Sequence, residues 1–206
     1  EAPAWDGNWL LLLSEGLDRN TLADVKKQLL WQGFGTLAPN LLASPSQRLA
    51  DVQALLHEAG VAEQVICFEA QSPLATSVSA LRARVEECWQ LTGQNQLYED
   101  FIATFRPLLP LLREADEDEL TPARCFAIQL LLIHLYRRVI LKDPLLPEAL
   151  LPAHWLGQSA RQLCINIYRC VAPGALAWAS EKGETSVGPL PQPASSFWQR
   201  FGGLKT

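Results

Sequence analysis

Residues 9–44, WLLLLSEGLDRNTLADVKKQLLWQGFGTLAPNLLAS, set the fold of the first part of the chain. Trp9 to Leu13 is an unbroken apolar run, short enough for a buried strand. Thr21-x-x-Asp24 resembles a capping box, Leu22, Val25, Leu29 and Leu30 then recur at helical spacing, and Gly33 is suited to end the helix in left-handed geometry. Phe34–Ala38 and Leu41–Ser44 read as two short strands joined by Pro39-Asn40, which is turn chemistry; a single bulged strand is the alternative. Ser46 is placed to cap a second helix with Leu49, Val52, Leu55 and Leu56 on one face and Gly60 beyond its end. The β-branched and aromatic run Gln64–Ala70, QVICFEA, closes the set as a strand.

The resulting order is β-α-β-β-α-β, which predicts an antiparallel four-stranded sheet with two helices on one face, the ferredoxin-like arrangement. Beyond Ser77 the pattern turns helical. Val78, Leu81, Val85 and Trp89 form one stripe and Leu97, Phe101, Ile102 and Phe105 another, and Pro107 and Pro110 should kink or break the chain after them. After an acidic connector at Glu114–Glu119, Thr121-Pro122 starts a helix over residues 123–142 that is free of Gly and Pro, apolar almost all round, and so expected at the buried centre of a helical domain. Asp143-Pro144 stops it, and a further helix is expected from about Ser159 to Val171, ended by Pro173-Gly174. The class is therefore α+β. A ferredoxin-like domain at 1–75 is followed by an all-α helical domain at 76–183, with a Pro/Gly/Ser-rich tail at 184–206 that carries the aromatic segment Phe197-Trp198-Gln199-Arg200-Phe201. That segment either folds back onto its own domain or serves as a docking peptide.

Composition bounds the function. The 206 residues carry 17 basic and 22 acidic side chains, a net charge of −5 that argues against a freestanding nucleic-acid binder. The five cysteines, Cys67, Cys88, Cys125, Cys164 and Cys170, sit in apolar surroundings with no C-x-x-C pairing, which reads as buried free thiols in a reducing cytoplasm. No apolar run approaches a membrane span and no signal peptide is evident. There is no methionine, and the chain opens Glu1-Ala2-Pro3-Ala4-Trp5, which reads as a piece of a longer protein.

The search for catalysis returns little. No nucleophile elbow, Walker loop, dinucleotide fingerprint or zincin motif is present, and the tight turn explains Gly33-Phe34-Gly35 without a ligand. His57, His134 and His154 lack metal-ligand spacing, and the acidic run lacks the glycine and alternation of a calcium loop. No catalytic residue, metal or cofactor is assigned. What stands out is a reversal of charge. Between Arg124 and Cys170 lie six basic residues, Arg124, Arg137, Arg138, Lys142, Arg161 and Arg169, against Asp143 and Glu148, a surplus of four that leaves the rest of the chain at −9. His134, Arg137, Arg138 and Lys142 fall within an arc of about 140° on the long helix, a cationic ledge. Cations near a helix C-terminus complement its dipole, which is one explanation. The other is a pocket in which guanidinium groups beside Tyr136, Trp155 and Tyr168 take an anionic ligand with an aromatic or apolar part.

Several longer motifs are distinctive together. Trp5-Asp6-Gly7, Gly33-Phe34-Gly35 followed by Leu37-Ala38-Pro39, Ala43-Ser44-Pro45, His134-Leu135-Tyr136-Arg137-Arg138, Asp143-Pro144-Leu145-Leu146-Pro147, Leu151-Pro152-Ala153-His154-Trp155 and Ala160-Arg161-Gln162-Leu163-Cys164 span nearly the whole chain. They resemble the PaaX family of bacterial transcriptional repressors of phenylacetate catabolism. The resemblance implies three parts: an N-terminal winged helix that grips the operator, a central ferredoxin-like domain and a C-terminal helical domain, with phenylacetyl-coenzyme A as the effector that releases the repressor from DNA. Against that pattern the sequence is expected to lack the winged helix, so that operator DNA would be reached only through that part, and to stop short of the family's C-terminus, at Lys205-Thr206.

The expected function is the effector-sensing and dimerisation portion of such a repressor, a cytoplasmic homodimer with no membrane partner. Its candidate effector residues are His134, Tyr136, Arg137, Arg138, Lys142, Trp155 and Arg161. Arg137, Arg138 and Arg161 would meet phosphate oxygens, and Trp155 and Tyr136 the adenine or the acyl end. A coenzyme A thioester-handling enzyme is an alternative, though no nucleophile and base support it. A metal-dependent nuclease is another, because the central domain is similar to the small ferredoxin-like subunit of CRISPR adaptation complexes. That activity would require an acid just after the first strand, where Leu13-Ser14-Glu15 supplies no aspartate.

Overall fold

The computed structural model describes residues 5–14, 17–72, 78–116, 118–186 and 188–203. By their internal contacts they form two compact units. The first runs to Gly93 and takes in Asp143–Trp155; the second comprises Gln94–Lys142 and the chain from Leu156 onward. This division interleaves segments that the linear boundaries at 75/76 and 183/184 keep apart.

The first unit is built on strands β1 (Asn8–Ser14), β2 (Gly35–Ala38), β3 (Leu41–Ser44) and β4 (Val65–Gln71), with helices α1 (Arg19–Trp31) and α2 (Leu49–Glu58) in the order β1-α1-β2-β3-α2-β4. All adjacent strands are antiparallel, in the spatial order β2-β3-β1-β4. The Pro39-Asn40 turn does make a hairpin, and a register shift between Thr36 and Ala38 adds the bulge that the single-strand alternative invokes. Helix α1 starts earlier than the Thr21-x-x-Asp24 pattern places it. Asp18 is the cap, accepting from the Asn20 and Thr21 backbone N–H groups and from the Thr21 hydroxyl. These bonds, the Thr21 hydroxyl's foremost, hold the Asp18 carboxyl below its ordinary range. The cap therefore stabilises fully at neutral pH, and its contribution is lost as pH falls through the carboxylate range. Ser46 does not cap α2, whose cap residue is Arg48 with no side-chain bond; Ser44 Oγ instead accepts from the Ser46 and Gln47 N–H groups.

Alternation along β1 sends Leu10 and Leu12 to one face and Trp9 and Leu11 to the other. On the first face Leu10 and Leu12 bury against Val25 and Leu29 of α1 and Val52 and Leu56 of α2. The second face is covered as well. Val85 of helix α3 (Val78–Cys88), Trp89, Leu91, Leu146 and Leu150 pack on Trp9 and Ala43, with Trp155 partly buried against them. A sheet covered on both faces explains why Trp9–Leu13 is apolar throughout rather than alternating. Trp89 Nε1 donates to the Gly33 carbonyl at 2.9 Å, and its ring lies where a Cβ on Gly35 would come within 2.5 Å of it.

The second unit holds most of helix α4 (Leu91–Phe105), then α5 (Leu108–Glu114), α6 (Pro122–Ile140) and α7 (Gly157–Lys182), with the short α8 (Ser195–Trp198) in the tail. Pro107 breaks the chain between α4 and α5 as expected, whereas Pro110 sits in the first turn of α5, where its missing N–H leaves no bond unmade. Two expectations are corrected. Helix α6 is not buried all round: Cys125, Leu132, Tyr136 and Val139 form one buried stripe, while Leu130 and Leu131 are 60% and 57% exposed. Helix α7 does not end at Pro173-Gly174 but continues to Lys182 with Pro173 inside it. A Cβ on Gly174 would stand 2.6 Å from Cys125 Sγ, so the glycine serves the close approach of α6 and α7 rather than a helix end. Gly174→Ala is therefore expected to lower stability by about 1–3 kcal/mol through overpacking, although alanine in an open helix would raise it by up to about 1 kcal/mol. Denaturant unfolding followed by circular dichroism reads the sign.

All five cysteines are free; Cys125 and Cys164 are buried, whereas Cys67, Cys88 and Cys170 are only half-buried, less than the sequence suggested. Burial pushes the Cys164 thiol up to about 12. At pH 8 its thiolate fraction is then about one in ten thousand, so Cys164 should resist a disulfide reagent in the native chain and react on unfolding, which a timed thiol titration measures. Among the described residues no helix is long and apolar enough to cross a membrane.

Candidate functional site

Thr121 Oγ1 caps α6, accepting from the Arg124 N–H, and Pro122 occupies the first helical position. The helix then carries His134, Tyr136, Arg137 and Arg138 through its last turns, with Lys142 just past its end. The Tyr136 ring is buried and packs 5.5 Å from that of Phe101. His134, Arg137, Arg138 and Lys142 are exposed, as is Arg161 in the first turns of α7. Among the described residues no carboxylate forms an ion pair with His134, Arg137, Arg138 or Lys142, so the ledge cations are not neutralised there.

A cavity of about 530 Å³ lies in this unit, lined by α6, α7 and the tail. Of the seven candidate effector residues it brings together Tyr136 and Arg137. Tyr168 of α7 joins them, as do Arg200 and Phe201 from the tail. His134, Arg138, Lys142 and Arg161 are not in its lining. Trp155 belongs to the other compact unit, partly buried in the cluster around Trp9 and Trp89.

The tail reaches the cavity because it folds back. The Phe201 ring meets Tyr168 edge-on at 5.0 Å, its carbonyl accepts from Arg169 Nη2 at 3.0 Å, and its backbone is held at φ 53°. Arg200 lies over the Phe197 ring at 5.3 Å. Among the described residues two buried side-chain polar atoms, Gln129 Oε1 and Tyr168 Oη, have no hydrogen-bond partner, and both side chains line this cavity. Arg200 and Phe201 are signalled in the sequence only as part of an apolar tail segment. Gln129 had no signal beyond being a polar residue within an apolar helix.

Among the described residues no group of three or more His, Cys, Asp or Glu side chains could hold a metal ion. The chemistry on offer is binding: guanidinium groups for an anion, aromatic walls for a ring, and unsatisfied polar atoms for an uncharged polar group.

A four-stranded antiparallel sheet unit and a helical unit that carries this cavity place the chain in the α+β class. Comparison with known proteins sharpens the class. Residues 2–82 match the PaaX protein central Cas2-like domain and residues 89–181 the PaaX-like protein C-terminal domain. The chain belongs to the PaaX family. It is 77% identical over 204 residues to the transcriptional repressor PaaX of Escherichia coli (strain K12), covering 99% of this chain and 64% of that protein's length. An uncharacterized protein from Mycobacterium tuberculosis shares the fold, with a TM-score of 0.54 at 23% identity over 84% of this chain and 63% of the other.

Proposed function

We propose that the chain is the effector-sensing and dimerisation portion of a bacterial transcriptional repressor of phenylacetate degradation genes, and a regulator rather than an enzyme. The observation that carries this reading is the cavity beside Arg137 in the domain matched as PaaX-like C-terminal, a site suited to binding without an evident nucleophile and base. The relative in Escherichia coli, a transcriptional repressor, supports it. The sheet unit, with its strand order β2-β3-β1-β4, is assigned to the ferredoxin-like arrangement.

The effector is phenylacetyl-coenzyme A, with Arg137, Arg138 and Arg161 taking phosphate oxygens and Tyr136 the acyl end. Fork-shaped guanidinium groups match phosphate geometry, and the ledge cations are exposed and, among the described residues, free of carboxylate partners. His134 and Lys142 add positive field at the helix end. In the whole protein, a cytoplasmic homodimer, operator DNA is gripped by a winged helix. The effector releases it by binding one of two conformations more tightly than the other.

Calorimetric titration of this chain with phenylacetyl-coenzyme A, alongside a free-thiol assay, tests the proposal. Saturable binding with no thiol release is expected. Steady release of coenzyme A would make the protein an enzyme, and no binding would remove the effector assignment.

A further inference from the structure

We infer that the cavity of the helical unit takes the aryl-acyl part of an anionic ligand and that the chain's own C-terminal segment completes it, Arg200 and Phe201 forming one wall. The inference deepens the effector reading and rests on it for the class of ligand. The placement rests on the cavity alone.

Three independent features converge there. The volume of about 530 Å³ falls within the range of about 300–1,000 Å³ usual for small-molecule sites. Its walls are aromatic, with Phe126, Tyr136, Tyr168 and Phe201 offering faces and edges to a ring. Its polar groups are unspent. Buried polar atoms in folded proteins almost always have a partner, and those lacking one call for a reason. Here the two that lack one among the described residues, Gln129 Oε1 and Tyr168 Oη, belong to side chains of the same lining. The tyrosine hydroxyl donates to a carbonyl and the glutamine oxygen accepts an N–H, the complement of an acyl group followed by an amide-bearing arm. Arg137 and Arg200 supply positive charge from two elements, α6 and the tail.

The tail is also held in an unusual way. Phe201 is a non-glycine residue in the left-handed region, φ 53°, fixed by the Arg169 bond to its carbonyl and by the Tyr168 ring contact. Such a conformation persists only where its surroundings impose it, and those surroundings are the cavity wall.

The test uses the whole chain with two probes, phenylacetyl-coenzyme A and phenylacetate, in calorimetry on wild type, Arg200→Ala, Tyr168→Phe and, as a control outside the cavity lining, the exposed α3 variant Arg82→Ala. At least a tenfold loss of affinity is expected for Arg200→Ala and about tenfold for Tyr168→Phe, with Arg82→Ala unchanged. Hydrogen exchange over residues 195–203 should slow on binding. If Tyr168→Phe does not fold, the exposed Arg200→Ala and the exchange measurement decide. Wild-type binding of the thioester with both variants unaffected overturns the cavity assignment and leaves the effector reading standing. Binding of phenylacetate alone, lost in both variants, supports the cavity and overturns the thioester. Binding of neither probe overturns both.

Discussion

Replacing Trp89 by alanine is expected to destabilise the sheet unit by about 3–5 kcal/mol, the range for truncating a buried aromatic residue. The indole is 9% exposed, lies 6.1 Å from the Trp9 ring, and fills the space left above Gly35, where no side chain fits. Removing it opens a cavity on the second face of the sheet and strips the Gly33 carbonyl of its donor at 2.9 Å. With total stabilities of small domains near 5–15 kcal/mol, this loss is a large share of the whole. Trp89→Phe separates the two contributions: it keeps most of the packing and loses the hydrogen bond, for about 1–2 kcal/mol. Urea unfolding followed by circular dichroism measures both. An alanine variant as stable as wild type would mean that the second face of the sheet is not closed by this residue.

That second face marks the limit of what is legible in the sequence. Strands β1 to β4 and helices α1 and α2 can be read within a few residues, because Gly33, Pro39-Asn40 and Gly60 punctuate short segments with clear periods. The covering of Trp9 and Ala43 by Leu146 and Leu150 cannot. Those leucines lie in Asp143–Trp155, a stretch without a regular apolar period, and their partners are more than 100 residues distant in sequence. The continuous apolar run Trp9–Leu13 is the available sign that both faces are buried. Pro173 misleads for a related reason. A proline ends a helix when nothing else holds it, but here α7 is pinned against α6 on both sides of the residue, with Ala172 and Ala175 buried. In the candidate site, helical spacing finds the Arg137 ledge and Tyr136, whereas Arg200 and Phe201 enter through tertiary return of a segment that has no period at all.

The second large effect concerns ligand affinity. Arg137 and Arg138 lie in the last turn of α6, exposed and, among the described residues, without carboxylate partners. A hydrogen bond to a charged group contributes about 1.5–3 kcal/mol, so losing two at a partly screened surface should weaken phenylacetyl-coenzyme A binding roughly a hundredfold. The two residues should not contribute equally. Arg137 lines the cavity and Arg138 does not, so Arg137→Ala alone should account for most of the loss. Raising the salt concentration should weaken binding to wild type more than to the double variant.

The central claim is that this helical unit recognises an anionic effector through the α6 arginines. Calorimetric titration of folded wild type and folded Arg137→Ala/Arg138→Ala chains with phenylacetyl-coenzyme A tests it most directly. The account predicts saturable binding to wild type and about a hundredfold loss in the double variant; unchanged affinity in that variant would contradict it.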